Sequence, residues 1–286
     1  MTTALRDFIK NPTTAELELV ARYGMQPEDA RRERAFLAFA ETGLPYRRME
    51  AWKWSDFKAA LKALDTPASA SATDPLPHDG VLVFRFTPTG FEPPKALPDG
   101  MRMLAQPTAQ AFSGAEDAPL GALAAALAGG GSRPATLTFE ITSGDLPRLH
   151  FVFDGAGEAS FARIIFVIRA GASLTLTESY LGGAGFTSTL LEFNLEEGAR
   201  LNRTIYQRGG ADEALAVTSL VNLAADSEAT QTTLAFGAKV ARMETRAVHQ
   251  GPGAKVSLNA AYLSGKGYHA DITTHVRHGA PGCVTR

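Results

Sequence analysis

Gly171-Ala-Ser-Leu-Thr-Leu opens the repeat that decides the fold, because a turn of small residues followed by a strand recurs after it. The later copies are Gly198-Ala-Arg-Leu-Asn-Arg, Asp226-Ser-Glu-Ala-Thr-Gln and Gly253-Ala-Lys-Val-Ser-Leu, and Gly279-Ala-Pro is a candidate fifth copy. Successive copies start 27, 28, 27 and 26 residues apart. A period of this size is typical of folds that stack one unit on the next.

Apolar residues recur at fixed positions of this repeat and indicate which side is buried. Three residues after each turn start lie Leu174, Leu201, Ala229 and Val256. Two further columns, nineteen and twenty-two residues after the start, contain Leu190, Val217, Thr245 and Ile272, and Phe193, Leu220, Val248 and His275. Stacked coils that bury the same face produce such columns.

Each period contains two or more strand-like runs and no helical pattern, so leucine-rich, ankyrin and tetratricopeptide repeats do not fit. We therefore predict a mainly β protein in which residues 135–286 form a right-handed parallel β-helix. Its strands would pair between successive coils, which closes most edges. A β-sandwich also has many short strands, but it does not predict a constant period.

The N-terminal part has a different pattern. In residues 1–64 apolar residues recur at helical spacing, which predicts a small helical domain. Thr13 or Thr14 is expected to cap the first helix, Pro27 to lie in the first turn of the second, and Gly43 to end it.

Two segments connect the predicted domains. Residues 65–79 are rich in proline and small residues, which favours a flexible or extended linker. Residues 80–134 form a mixed connecting region, with a strand starting at Val81 and an alanine-rich helix over Pro119–Leu127.

Composition favours a cytoplasmic protein with neither nucleic acid nor membrane as a partner. The formal net charge of the 286 residues is -2, which gives no electrostatic reason to bind polyanions. No apolar run approaches the roughly 20 residues that span a bilayer, and the N-terminus lacks the order of a secretory signal. The single cysteine, Cys283, excludes an intrachain disulfide.

Two segments carry motifs that point to one family. The first contains Pro45, Arg47, Glu50, Trp52, Lys53, Trp54 and Ser55, and the second contains Arg246, Gly253, Tyr262, Asp271, His275, Cys283 and Arg286. The first resembles the segment that ends the N-terminal helical region in the SufD branch of the SufB/SufD family, which acts in SUF-system iron–sulfur cluster assembly. The second resembles the core motif of the whole family, and the order of regions also agrees.

The resemblance implies a non-catalytic scaffold subunit that pairs with a SufB-like paralogue and a SufC-like ATPase. A homodimer is a further option for the isolated chain. It also implies that His275, His278, Cys283 and Arg286 lie near a partner interface. Because a cluster needs about four ligands, mostly thiolates, this chain is expected to hold no cofactor alone and to hold an iron–sulfur cluster only when it is shared with a partner.

Family members continue past the position of Arg286 with more β-helix and a C-terminal helical domain. We therefore expect that domain to be absent here, together with SufC binding. We also expect the last coil to be covered by a second copy, by a partner or by further residues, since a β-helix needs a cap.

The aromatic residues of the first motif have a simpler interpretation than ligand stacking. Trp52 and Trp54, with Phe57, are expected to form a plug between the helical domain and its neighbour. The basic residues Arg47, Arg48 and Lys53 can receive a phosphate or an acidic partner.

A solvated basic face with an ion pair to Glu50 is the more frequent arrangement of such residues.

Imidazole and thiolate groups, which suit transition metals, are offered by His275, His278 and Cys283. Their spacing matches no standard zinc motif, so no metal site is predicted.

A carbohydrate-active β-helix lyase or hydrolase is the alternative function, and a purely structural repeat protein is a third. The enzymes need carboxylates grouped on one face. The acidic residues of the repeats fall at different offsets; they are Glu178, Glu196, Glu197, Asp212, Glu213, Asp226 and Asp271. No nucleophile or phosphate-binding motif is found, so no catalytic residue is predicted.

Overall fold

The computed structural model describes residues 9–67, 73–87, 90–104, 118–129, 136–155, 157–182 and 185–286. The helices are α1 (Thr14–Gly24), α2 (Ala30–Thr42), α3 (Phe57–Ala60) and α4 (Pro119–Leu127), with a 3-10 turn at Glu50–Trp52. The strands are β1 (Val81–Thr87), β2 (Gly90–Glu92), β3 (Met101–Leu104), β4 (Leu137–Ile141), β5 (Arg148–Phe153), β6 (Ser160–Ile168), β7 (Ser173–Tyr180), β8 (Gly185–Leu195), β9 (Arg200–Gln207), β10 (Glu213–Leu223), β11 (Glu228–Ala235), β12 (Val240–His249), β13 (Lys255–Tyr262), β14 (Ala270–His278) and β15 (Val284–Thr285).

The strands form a parallel β-helix of two sheets, which confirms the predicted mainly β fold with a small helical region before it. Sheet A has the strand order β15-β13-β11-β9-β7-β5-β1-β2, and sheet B has the order β14-β12-β10-β8-β6-β4-β3. Each coil adds one strand to each sheet, parallel to the strand of the coil before it. At the N-terminal end of the sheets, β2 and β3 pair antiparallel with β1 and β4.

The first predicted column is confirmed. Leu174, Leu201, Ala229 and Val256 pair with one another in sheet A and are at most 4% exposed. They belong to one apolar core that both sheets line. The alternation of the strands requires this arrangement, because residues two apart on a strand face the same side.

The two columns predicted for sheet B are only partly correct, because Val217 and Ile272 both pair with Met243, whereas Leu190 and Thr245 pair elsewhere. His275 pairs with Arg246, which pairs with Leu220. Phe193 instead pairs with Val221, the residue after Leu220. The core column of sheet B contains Phe166, Phe193, Val221, Ala247 and Val276. Its members are 27, 28, 26 and 29 residues apart. A constant offset counted from the turns therefore aligns residues of sheet B that are not paired.

The fifth turn also differs from the prediction. Val256 pairs with Thr285, and Gly282 rather than Gly279 occupies the turn, with φ 70° against 71° at Gly253. The turns stack through their backbones, because the Gly253 amide donates to Pro281 O at 3.1 Å. Left-handed φ values of this kind favour glycine.

The ends of the N-terminal helices are set by side-chain caps. Thr13 and Glu16 form a capping box at the start of α1, in agreement with the prediction. Asp29 caps α2 by accepting from two backbone amides, so Pro27 lies before the helix and its predicted place in the first turn is wrong. Gly43 ends α2, with φ 64°.

Helix α4 packs between the other helices and the outer face of sheet B. All nine of its residues are buried, and they share a second apolar core with α1, α2 and outward side chains of β6, β8 and β10. A Cβ atom at Gly121 would lie 2.8 Å from the Thr218 side chain, so the close approach requires glycine. Arg32 donates to the carbonyls of Ala126 and Ala128 at 3.2 and 2.7 Å. These bonds provide partners for carbonyl groups at the C-terminal end of α4, which lack partners within the helix.

Part of the predicted linker packs on the β-helix. Residues 68–72 lie outside the described part of the chain, but residues 73–79 are described and lie on the outer face of sheet A. There Leu76 packs against an apolar cluster that contains Val152 and Tyr206.

Candidate functional site

The last coils expose side chains of a kind that the earlier coils bury. Tyr262 and Leu263 are each 73% exposed, and the core-facing Val276 is only partly buried. The predicted interface residues all belong to this part of the chain; they are His275, His278, Cys283 and Arg286.

His278 lies next to His249, its pairing partner on β12 of the preceding coil. The ring centroids are 4.6 Å apart, and the Thr285 hydroxyl lies 2.9 Å from His278 Nε2 and 3.2 Å from His249 Nε2. Burial, and then the neighbouring His278, lower the pKa of His249. Sequence analysis missed His249, although a spacing of 29 residues would have placed both histidines at one position of successive coils.

His275 lies on the face of β14 opposite to that of His278. Strand alternation places it on the outer face of sheet B, where its Nε2 is 3.8 Å from Glu244 Oε1. The same carboxylate accepts hydrogen bonds from Arg246 at 2.7 Å and from Arg242 at 3.2 Å. The structure therefore does not bring His275 and His278 together into one metal site.

Cys283 and Arg286 lie at the core end of the last coil. Cys283 is partly buried against the apolar core, and its thiol donates to Gly251 O at 3.4 Å. Arg286 extends the pairing of β13 by donating its amide to Val256 O at 3.0 Å. The interface role of these residues stays a prediction.

An open groove of about 750 Å³ borders His275 on the outer face of sheet B. Arg246, Arg277 and Gln250 contribute to its walls. Leu220, Ala247, Val248 and Val276 also line the groove, so its walls are of mixed polarity.

The two motif segments meet at Arg242, which is 3% exposed. Its guanidinium lies 3.9 Å from the centroid of the Trp52 ring and donates to Ala51 O and Asp271 Oδ2, each at 2.8 Å. The Ser55 hydroxyl donates to the same Asp271 oxygen at 2.5 Å. Stacking, hydrogen bonds and charge pairing together attach the helical region to the β-helix.

The aromatic plug contains only part of the predicted set. Trp52 packs edge-to-face on Phe57 at 5.8 Å, and Phe57 contacts Phe186 of sheet B at 6.2 Å. Trp54 is 76% exposed and does not belong to the plug, so that prediction is wrong for this residue. The Lys53 ammonium lies 5.1 Å from the Trp54 ring.

The remaining residues of the first motif divide between core and surface. Pro45 is buried, whereas Arg47 and Glu50 are exposed. Arg47 lies 3.8 Å from Asp56. Among the described residues, no ion pair joins Arg47, Arg48 or Lys53 to Glu50, so that predicted pair is wrong. An exposed pair at this distance contributes little to stability.

A polar network lies inside the apolar core. Arg203 of β9 donates to both oxygens of Glu178 at 2.5 and 2.8 Å, and both side chains are fully buried. Arg203 also donates to Ser219 at 2.7 Å and to Gln231 at 2.8 Å. Strand alternation marks these residues as inward, because Arg203 lies two residues after Leu201 and Glu178 lies four residues after Leu174.

A second buried carboxyl belongs to Glu213 at the start of β10. Burial raises the pKa of Glu213 to about 8, and the negative charge of Asp154 adds to this, while a hydrogen bond from the Gly210 amide opposes it. A Cβ atom at Gly182 would lie 1.7 Å from a Glu213 oxygen. Glu213 is therefore mainly protonated at neutral pH.

Comparison with known proteins identifies one domain. Residues 151–286 match the family model described as SUF system FeS cluster assembly, SufBD core domain. This match supports the SufB/SufD family and an involvement in iron–sulfur cluster assembly, and it does not distinguish SufD from SufB. A search of curated proteins found no match. Within the described residues, no helix is both long enough and apolar enough to cross a membrane.

Proposed function

We propose that this protein is a SufD-type scaffold subunit of an iron–sulfur cluster assembly complex, without catalytic activity of its own. It pairs with a SufB-like paralogue and acts with a SufC-like ATPase. The observation that carries the proposal is the SufBD core match over residues 151–286, which include most of the stacked coils. The cluster is the cargo of this complex.

The first motif favours a SufD role over a SufB role. Its residues resemble the SufD branch, and two of them, Trp52 and Ser55, contact Arg242 and Asp271 of the β-helix. A segment that is held against the core domain in this way has a structural reason to keep its sequence.

A shared cluster fits the donors near the last coil. Cys283 supplies one thiol, and His278 supplies one exposed imidazole. Together they fall short of the about four ligands that a cluster needs. The proposal therefore places cluster formation at a contact with the paralogue, not within this chain.

The carbohydrate-active alternative is not favoured. Two of the seven acidic residues of the repeats are engaged in structural bonds, since Glu178 pairs with Arg203 inside the core and Asp271 pairs with Arg242. We expect the isolated chain to hydrolyse neither ATP nor polysaccharides. Turnover that is lost on mutation of one of its own residues would overturn this expectation.

Co-purification with SufB-type and SufC-type subunits tests the proposal. The full chain is co-expressed with both, and complexes are measured by size exclusion with light scattering, which also gives the mass of the isolated chain. Leu263→Glu places a charge on the exposed end and should weaken pairing with the paralogue at least tenfold. Met25→Glu is the matched control, since Met25 is 76% exposed but lies in the helical region.

Two outcomes contradict the proposal. The first is the absence of any complex with either subunit under conditions in which the chain is folded. The second is equal weakening by Leu263→Glu and Met25→Glu, which would show that the contact does not lie at the last coils.

A further inference from the structure

Three side chains that commonly bind metals converge on the outer face of sheet A, far from the last coils in sequence. Asp74 and His78 belong to the packed segment 73–79, and His150 belongs to β5. Asp74 Oδ2 lies 3.1 Å from His78 Nε2 and 3.3 Å from His150 Nε2. The ligand atoms of all three residues lie within 4.8 Å of one another.

These distances match the edges of a metal coordination sphere. Zinc binds imidazole nitrogen and carboxylate oxygen at about 2.0–2.2 Å, usually in tetrahedral geometry. Ligand atoms of such a site are therefore about 3.3–3.5 Å apart. The two separations from Asp74 Oδ2, 3.1 and 3.3 Å, are close to this range, so small rotations of the side chains accommodate an ion.

The site is built into the fold. His150 is 1% exposed, and the Asp74 side chain is 7% exposed. The Ser179 hydroxyl lies 2.9 Å from His150 Nε2 and donates to Asp74 Oδ1 at 3.0 Å. The Leu76 amide donates to the same oxygen at 3.1 Å. The two bonds to Oδ1 orient the Asp74 carboxylate, as such bonds do in known metal sites, whereas the Ser179 contact with His150 involves the ligating nitrogen itself.

The charges around the three residues act in opposite directions. Arg148 and Arg85 also lie near His150. The two arginines reduce the affinity for a cation, whereas the Asp74 carboxylate increases it.

We propose that Asp74, His78 and His150 bind one divalent transition-metal ion of the zinc class, with the fourth position open to water or to the Ser179 hydroxyl. The ion ties segment 73–79 to the outer face of sheet A. Two imidazoles with one carboxylate suit zinc, iron or cobalt, whereas calcium and magnesium prefer oxygen ligands. This site is independent of the proposed assembly role.

A metal-free hydrogen-bonded cluster is the competing arrangement, because two imidazole N–H groups can donate to one carboxylate oxygen. The two arrangements differ in stoichiometric metal uptake. The full chain is stripped with a chelator and dialysed against Zn²⁺ at micromolar free concentration, and bound metal is counted by mass spectrometry. Co²⁺ is used in parallel, because its visible absorption reports coordination geometry and ligand type.

The expected result is one Zn²⁺ per chain, and a Co²⁺ spectrum without thiolate charge transfer. His78→Gln and Asp74→Asn should each lose the ion, and Ser179→Ala should weaken binding roughly tenfold or more. His78 is one third exposed, so its replacement should leave the circular dichroism spectrum unchanged. The matched control is His249→Gln with His278→Gln, which removes the other histidine pair and should retain the ion.

Three results would overturn the proposal. The wild-type chain binds no Zn²⁺, or uptake is unchanged in His78→Gln and Asp74→Asn, or uptake is lost in the control variant instead. A thiolate band in the Co²⁺ spectrum would assign the metal to Cys283 and would also count against the site.

Discussion

Replacing Arg203 with methionine should strongly destabilise the β-helix. Arg203 is fully buried, and its stem lies among core side chains with the guanidinium 4.8 Å from the Phe193 ring. Methionine has a similar length and adapts to irregular space, so it leaves only a small cavity. The variant therefore removes mainly the charge and the hydrogen bonds.

The magnitude follows from what the substitution leaves behind. Glu178 loses both of its hydrogen bonds to Arg203 and remains as a buried carboxylate, with the Tyr180 hydroxyl at 2.9 Å as a remaining donor. Removing one partner of a buried ion pair costs about 3–5 kcal/mol. Ser219 and Gln231 each lose a bond as well, which adds to the cost.

Urea unfolding followed by circular dichroism measures the change in the free energy of unfolding. Arg200→Met is the matched control, because Arg200 lies on the same strand but is exposed, and it should change stability by less than about 0.5 kcal/mol. Glu178→Gln in the Arg203→Met background removes the uncompensated charge and should recover a large part of the loss.

The reasoning is refuted if Arg203→Met costs less than about 1 kcal/mol, or no more than Arg200→Met. A double variant as unstable as Arg203→Met alone would also contradict it. That result would show that packing, and not the unpaired carboxylate, carries the effect.

Three further predictions concern burial. Leu201→Asp places an unpaired carboxylate in the core column and should cost more than about 4 kcal/mol, whereas the exposed Asn202→Asp should be nearly neutral by thermal unfolding. Trp52→Ala should cost about 3–5 kcal/mol and expose the helical region to proteolysis, whereas Trp54→Ala should do neither. Glu213 has a folded-state pKa of about 8 against 4.5 when unfolded, so its contribution to stability is complete below 4.5 and is lost as the pH rises through 8. Glu213→Gln should therefore leave stability at pH 4 nearly unchanged and raise it by a few kcal/mol at pH 9, as measured by urea unfolding at several pH values.

Each of these predictions has a contradicting outcome. Equal melting temperatures for the Leu201 and Asn202 variants would show that the column is not buried. Equal protease resistance of the two tryptophan variants would place the attachment of the helical region elsewhere. A pH-independent difference between Glu213→Gln and the wild type would show that Glu213 does not titrate in this range.

The period near 27 residues was sufficient to predict the parallel β-helix. Stacked coils must present the same face to the core at the same place, so a column such as Leu174, Leu201 and Val256 is visible in the sequence. Local signals also predicted single helix ends, as at Thr13 and Gly43, because a cap depends on residues within one turn. The single cysteine excluded an intrachain disulfide in the same direct way.

Only the tertiary structure decided the register of sheet B and the contacts between distant segments. A sequence records alternation within a strand, but the turns between strands absorb insertions, so His275 was assigned to the wrong column. The contact of Trp52 with Arg242 and the cluster of Asp74 with His150 join residues far apart in the chain. No local pattern encodes such contacts, because they depend on where the helical region and segment 73–79 pack on a β-helix that must already be formed.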